Sequence, residues 1–143
     1  MKVRQLDHGA RRSFVLVLET GDEAVECLRR FAEEHEVEAG RFTGLGAFST
    51  ATLGFFDPDS REYEKIEIDE QVEVVTLVGN FATFKGEAKV HPHAVLGDRA
   101  GRAFGGHLLS GRVRPTLEVV VTDEPASLRR ETDEASGLPL IAL

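Results

Sequence analysis

The chain has 143 residues, of which 41% are hydrophobic and 29% are charged, and its formal net charge is −8. This balance is typical of a globular protein with one domain and a hydrophobic core. No apolar run approaches the roughly 20 residues that span a bilayer, so a membrane is not an expected partner. The first residues are polar, unlike a secretory signal, and the expected location is cytoplasmic.

The first third of the chain predicts a strand, a helix and a second strand. Residues 12–19 predict a strand whose apolar run at 14–18 is typical of burial on both faces. Thr20-Gly21-Asp22-Glu23 matches a capping box and predicts the start of a helix that ends near His35. Glycines are dense in residues 39–56, a pattern that predicts a bent strand.

Strands and turns alternate through the middle of the chain. Asp57-Pro58-Asp59-Ser60 has the composition of a turn, and a charged strand is expected at 63–68. Residues 72–84 are rich in valine and phenylalanine, which favours another strand. Lys85-Gly86 then predicts a turn.

The last third predicts a hairpin and one further strand. Residues 88–96 alternate around two histidines, 97–101 form a loop, and 103–109 return along the first arm. After a connection near Gly111–Arg114, residues 115–122 form the last clear strand.

Residues 124–143 form an acidic tail, in which a short helix is expected at 126–130. There is no internal repeat and no linker. The sequence thus predicts one α/β domain over residues 1–143, with its core at about 12–123.

Three of the five histidines lie within the predicted hairpin. His91 and His93 flank Pro92, and residues two apart on an extended chain point to the same side. Pro92 favours an extended backbone at His91. A turn near Asp98 would bring His107 beside this pair. Three neutral imidazoles with an open position suit zinc, and other first-row metals accept the same ligands.

The alternatives to a metal site are a pH-sensitive polar cluster and surface histidines without a function. If the cluster binds metal, binding should fall as the pH drops through the range around 6.5, where free histidine protonates. His35, near the end of the helix, is interpreted as structural. His8 lies outside the hairpin and is not expected to be a ligand.

Other motifs carry weaker signals. Gly105-Gly106, before His107, is interpreted mainly as an aid to close strand packing and secondly as room for a ligand. Gly44-Leu45-Gly46 lacks the spacing of a phosphate-binding loop, which excludes a nucleotide fold. No catalytic triad is present, and no acid or base can be assigned. Arg41 and Glu118 are candidates for positions around the metal ligands.

Four segments together resemble the PPC domain (plants and prokaryotes conserved), also known as domain of unknown function 296. The segments run in order from about Ser13 to Val121. They are FVLVLETGDE at 14–23, GLGAF at 44–48, VVTLVGN at 74–80, and GGHL at 105–108 followed by PTLEVVV at 115–121.

The resemblance implies an α+β fold, mainly an antiparallel sheet with packed helices, and a homotrimer. Prokaryotic members typically carry histidines like His91, His93 and His107, so the resemblance favours metal binding. Plant members join the domain to AT-hooks that bind DNA. This chain has no such hook, since Gly111-Arg112-Val113-Arg114-Pro115 is interrupted by valine.

Three hypotheses follow. The first is a trimeric module that binds metal, zinc above all, and a small ligand. The second is a DNA-associated regulator, which the net charge of −8 disfavours. The third is a metal-dependent enzyme of unknown substrate, because an open metal site can activate water.

Overall fold

Nine strands and one helix build the fold, and the strands form one mainly antiparallel sheet. The computed structural model describes residues 1–143 apart from the side chain of His8. The strands and the helix are, in chain order, β1 (Lys2–His8), β2 (Arg12–Glu19), α1 (Ala24–Glu34), β3 (Gly40–Asp57), β4 (Glu62–Ile68), β5 (Val72–Phe84), β6 (Glu87–Gly97), β7 (Ala103–Asp123), β8 (Arg129–Thr132) and β9 (Pro139–Ala142).

The sheet closes on itself around the longest strands. β3 pairs with β5, β5 with β6, β6 with β7, and β7 again with β3. β1 and β2 extend the sheet beyond β7, and β4 pairs with the second half of β3. The mainly antiparallel α+β fold expected from the resemblance is confirmed.

The core lies between helix α1 and the concave side of the sheet. Phe31 on the helix packs edge-on against Phe14 of β2, with ring centroids 5.2 Å apart, and lies 6.1 Å from the ring of Phe81 on β5. All three side chains are fully buried. Removing this much apolar surface from water is the main stabilising contribution to such a fold.

Strand β2 lies where the sequence predicts it, but its burial differs from the prediction. Phe14, Leu16 and Leu18 are fully buried, whereas Val15 and Val17 are only half-buried. The strand is covered by the core on one side only. Its continuous apolar pattern therefore leaves apolar side chains on the outer side of the sheet.

The helix begins later than the capping-box pattern predicts. Gly21 has a positive φ of 94°, which interrupts any helix there, and Glu23 rather than Thr20 is the N-cap. The Glu23 carboxylate accepts hydrogen bonds from the backbone N–H groups of Val25 and Glu26. Thr20 instead donates its hydroxyl to the carbonyl of Pro115.

Two further predictions are wrong. Residues 103–123 form one continuous strand, β7, without the expected break at Gly111–Arg114. The tail contains no helix at 126–130, because β8 there pairs in parallel with the end of β5 and then with β9. Strand β1 was not predicted at all.

No described helix has the length and apolar character needed to cross a membrane.

Candidate metal centre

The β6–β7 hairpin brings the three histidines together. His91 and His93 alternate on β6 with buried residues, so their side chains leave the outer side of the sheet. His93 lies directly opposite His107 on β7. The predicted hairpin, with its loop around Asp98, is confirmed: the Asp98 carboxylate accepts hydrogen bonds from the backbone of Ala100 and Arg102.

The three imidazole rings form a compact triangle. Their centroids are 5.1 Å apart for His91 and His93, 5.2 Å for His91 and His107, and 5.3 Å for His93 and His107. One nitrogen of each ring lies within 4.8 Å of the others. The Nε2 atoms of His91 and His93 are 3.2 Å apart. Two nitrogens bound at about 2.0–2.1 Å to one tetrahedral ion would lie about 3.3 Å apart, close to this separation.

Burial and neighbouring cations keep two of the rings neutral. Burial, and after it the positive charges of the other two histidines, Lys89 and Arg130, together lower the pKa of His107 to about 4. The pKa of His91 is also lowered, first by burial and then by Arg130. Neutral imidazole is the form that binds metal, so the site is prepared for an ion at neutral pH.

The donor set fits a first-row divalent ion. It contains three ring nitrogens, and Nδ1 of His107 is buried without a hydrogen-bond partner. Such an unpartnered buried nitrogen costs free energy that a bound ligand would recover. Three imidazoles leave at least one coordination position open, as in sites that bind a small molecule at the metal.

Tyr63 forms one wall of this site and was not predicted from the sequence. Its ring lies on that of His107, with centroids 5.0 Å apart and an angle of 32° between the planes. Gly54, in register with His107, makes the approach possible: a Cβ there would lie 2.7 Å from Cδ1 of Tyr63. The glycine of β3 thus positions an aromatic ring from β4.

Arg130 is the second residue that the sequence did not identify. It comes from β8, in the tail, and its exposed fraction is only 7%. It donates hydrogen bonds to the Asn80 side-chain oxygen and to the Pro139 carbonyl, at 2.6 and 2.8 Å. One guanidinium nitrogen lies 3.5 Å from Nδ1 of His91. No sequence signal marked this arginine, since it lies in an acidic tail without periodic pattern.

The other sequence candidates lie farther from the histidines. Arg41 is exposed on β3. Asn80 of β5 lies between Arg41 and His91, because Asn80 is in register with Arg41 on one neighbouring strand and with His91 on the other. Glu118 is exposed on the distant half of β7. Gly106 serves strand packing, because a Cβ there would lie 2.9 Å from the carbonyl oxygen of Gly54.

Comparison with known families agrees with this fold. The model of the Plants and Prokaryotes Conserved domain, abbreviated PCC or PPC, matches residues 6–125. The chain belongs to this family. The resemblance inferred from the four sequence segments is thereby confirmed, and the three histidines lie within the matched residues, whereas Arg130 lies beyond them.

Two solved structures resemble this PCC domain over nearly its whole length. A proposed DNA-binding protein from Bacteroides thetaiotaomicron is 27% identical, with a TM-score of 0.90, and the match covers 98% of this chain and 96% of that one. A metal-containing protein from Archaeoglobus fulgidus is 32% identical, with a TM-score of 0.85, and the match covers 92% and 93%.

A curated relative carries a similar segment within a much longer chain. The bifunctional protein GlmU of Synechococcus sp. (strain JA-3-3Ab) is 31% identical over 135 residues. The match covers 92% of this PCC domain but 20% of that protein. The present chain therefore spans about one fifth of that relative's length.

The lowered pKa values predict how metal binding responds to acid. Protons compete with the metal only where a ring protonates, and for His91 and His107 that pH lies below the ordinary value of about 6.5. We expect the protein to keep most of its metal at about pH 6 and to lose it as the pH falls towards 4. Dialysis at each pH followed by elemental analysis measures this. Loss of half the metal at pH 6.5 or above would contradict the prediction.

Proposed function

We propose that this PCC-domain protein binds one divalent metal ion, zinc being the best match, through His91, His93 and His107, together with a small ligand beside the ion. The observation that carries the proposal is the convergence of the three imidazoles, whose ligand nitrogens lie within 4.8 Å of one another. The similarity to a metal-containing protein from Archaeoglobus fulgidus supports it.

Zinc is favoured by the ligand chemistry. An all-nitrogen set of neutral imidazoles suits zinc, copper, nickel and iron better than magnesium or calcium, which prefer oxygen. A bound zinc ion would polarise a ligand or water at its open position. Binding is favoured over catalysis, because no acid or base can be assigned a proton-transfer role here. A metal-dependent enzyme remains the third hypothesis.

Removing one ligand tests the site. We expect His107→Ala to lower bound zinc several-fold, while the far-ultraviolet circular dichroism stays near that of the wild type. The apolar core is large enough for the protein to fold without metal, unlike that of a zinc finger. Elemental analysis of the purified variants, with His91→Ala and His93→Ala alongside, provides the measurement.

His35→Ala is the matched control for this test. The His35 ring packs against Phe14 and Phe31, with centroids 5.1 and 4.8 Å apart, so its loss should affect stability and leave the zinc content unchanged. His8→Ala should also keep its zinc. This prediction rests on the sequence alone, because the side chain of His8 is not among those that the structure describes. Equal zinc in wild type and His107→Ala would overturn the site assignment.

We further propose that the protein is a homotrimer that uses the outer side of the sheet. Leu45, Val78 and Val120 expose 63%, 43% and 49% of their surface there, which is unusual for apolar side chains so close together. One row crosses five neighbouring strands in register. It consists of Val15, Val120, Thr43, Val78 and His93. The apolar surface thus leads directly to the histidine cluster.

Light scattering behind size exclusion tests the assembly. We expect a mass of about three times the 15.7 kDa of one chain. Val120→Glu should shift the protein towards monomer, because a carboxylate would be buried in the apolar contact. Ile66→Glu, which changes an exposed apolar residue on β4, is the control and should remain trimeric. A wild-type monomer at micromolar concentration would exclude the trimer.

DNA binding is the second candidate function, supported by the similarity to the proposed DNA-binding protein of Bacteroides thetaiotaomicron. The net charge of −8 opposes contact with phosphates. We expect only weak, strongly salt-dependent affinity in a fluorescence-anisotropy titration with AT-rich duplex. Nanomolar affinity at physiological salt, lost on mutation of surface arginines, would make DNA binding the preferred function.

A further inference from the structure

A cavity of about 220 Å³ lies next to the histidine cluster and shares two of its residues. His91, His107 and Tyr63 line one side. Arg130 and residues 138–140 of the C-terminal hairpin line the other, and Lys89 also contributes. The tail therefore supplies part of the cavity wall beside the histidines.

The charge of Arg130 is not neutralised by any carboxylate among the described side chains. None of its polar contacts is a carboxylate: they are the oxygens of Asn80 and Pro139 and, at 3.5 Å, Nδ1 of His91. Its Nε–H group is buried without a partner. A buried charge without a counterion costs several kcal/mol. A planar guanidinium is also the side-chain group that best matches the geometry of a carboxylate.

The other residues that line the cavity indicate the charge and polarity of a ligand that would fit it. Lys89 adds a second positive charge, and no acidic residue lines the cavity among the described side chains. Val90, Leu138 and Leu140 supply apolar surface. The volume of about 220 Å³ lies below the range of about 300–1,000 Å³ that is typical of pockets for drug-sized ligands, which suits a small molecule rather than a nucleotide or a peptide.

We propose that this cavity binds a small carboxylate with a short aliphatic body. The carboxylate pairs with Arg130 and Lys89, and the aliphatic part contacts Val90, Leu138 and Leu140. The position of His91 and His107 in the cavity wall places this ligand beside the metal centre. The inference deepens the proposed function, because it gives a chemical class to the ligand that accompanies the metal.

Three probes of nearly equal shape test the charge requirement. Isovalerate, isovaleramide and isopentylamine are each titrated into the zinc-loaded full chain and followed by chemical-shift changes in ¹H–¹⁵N spectra. We expect isovalerate to bind in the millimolar range and the amide at least ten-fold more weakly, with no detectable binding of the amine. Equal binding of acid and amide would overturn the proposal, and so would stronger binding of inorganic phosphate than of isovalerate.

Substitutions test whether Lys89 and Arg130 supply the positive charge that binds the carboxylate. Lys89→Gln changes an exposed side chain and should fold normally; we expect it to weaken isovalerate binding several-fold, whereas Lys85→Gln, outside the cavity, should not. Arg130→Lys should bind weakly and Arg130→Gln not at all. If the Arg130 variants fail to fold, Lys89→Glu, which should abolish binding, replaces them. Unchanged binding in Lys89→Gln and Lys89→Glu would overturn the assignment.

The metal-free protein separates this inference from the proposed function. If His93→Ala, which leaves the residues lining the cavity intact, and chelated wild type still bind isovalerate with the same dependence on Lys89, the cavity site holds even if the zinc site fails. If zinc binds stoichiometrically but isovalerate does not, the zinc site holds and the carboxylate site is wrong. Binding that requires zinc but not Lys89 or Arg130 would also overturn it, since the metal alone would then hold the acid.

Discussion

The register of the β6–β7 hairpin is the constraint on which the candidate site depends. His93 faces His107 across the hairpin, while the neighbouring residues Ala94 and Leu108 are buried in the core. A shift by one residue would turn a histidine towards the core and an apolar side chain towards solvent. The burial of the alternate residues therefore fixes the histidine cluster in place, and the site depends on the hydrophobic core without contributing much to it.

The electrostatics of the site differ from those of the chain as a whole. The protein carries a net charge of −8, yet Lys89 and Arg130 place positive charge beside partly buried imidazoles. Burial and these cations both favour neutral histidine, the form that a metal requires. The same cations would attract an anion to a neighbouring metal ion. An acidic surface with a cationic cavity fits a small acidic ligand better than a nucleic-acid backbone.

Local patterns in the sequence determined the strands around the site. Period-two alternation and β-branched composition predicted β5 at residues 72–84 and the two arms of the hairpin. The His91-Pro92-His93 spacing predicted two imidazoles on one side of a strand. A loop of the right length then brought His107 beside them. These features depend on contacts between residues close in sequence, which is why one sequence was sufficient to predict them.

Contacts between residues distant in sequence were decided only by the tertiary structure. Arg130 reaches the site because β8 pairs in parallel with the end of β5, and no local pattern encodes that pairing. The helix expected at 126–130 fails for the same reason. Tyr63 lies on His107 because Gly54, on the strand between them, has no side chain. The sequence thus determined the histidine cluster, whereas the folded sheet determined the cavity beside it, since long-range strand pairing outweighs local preference.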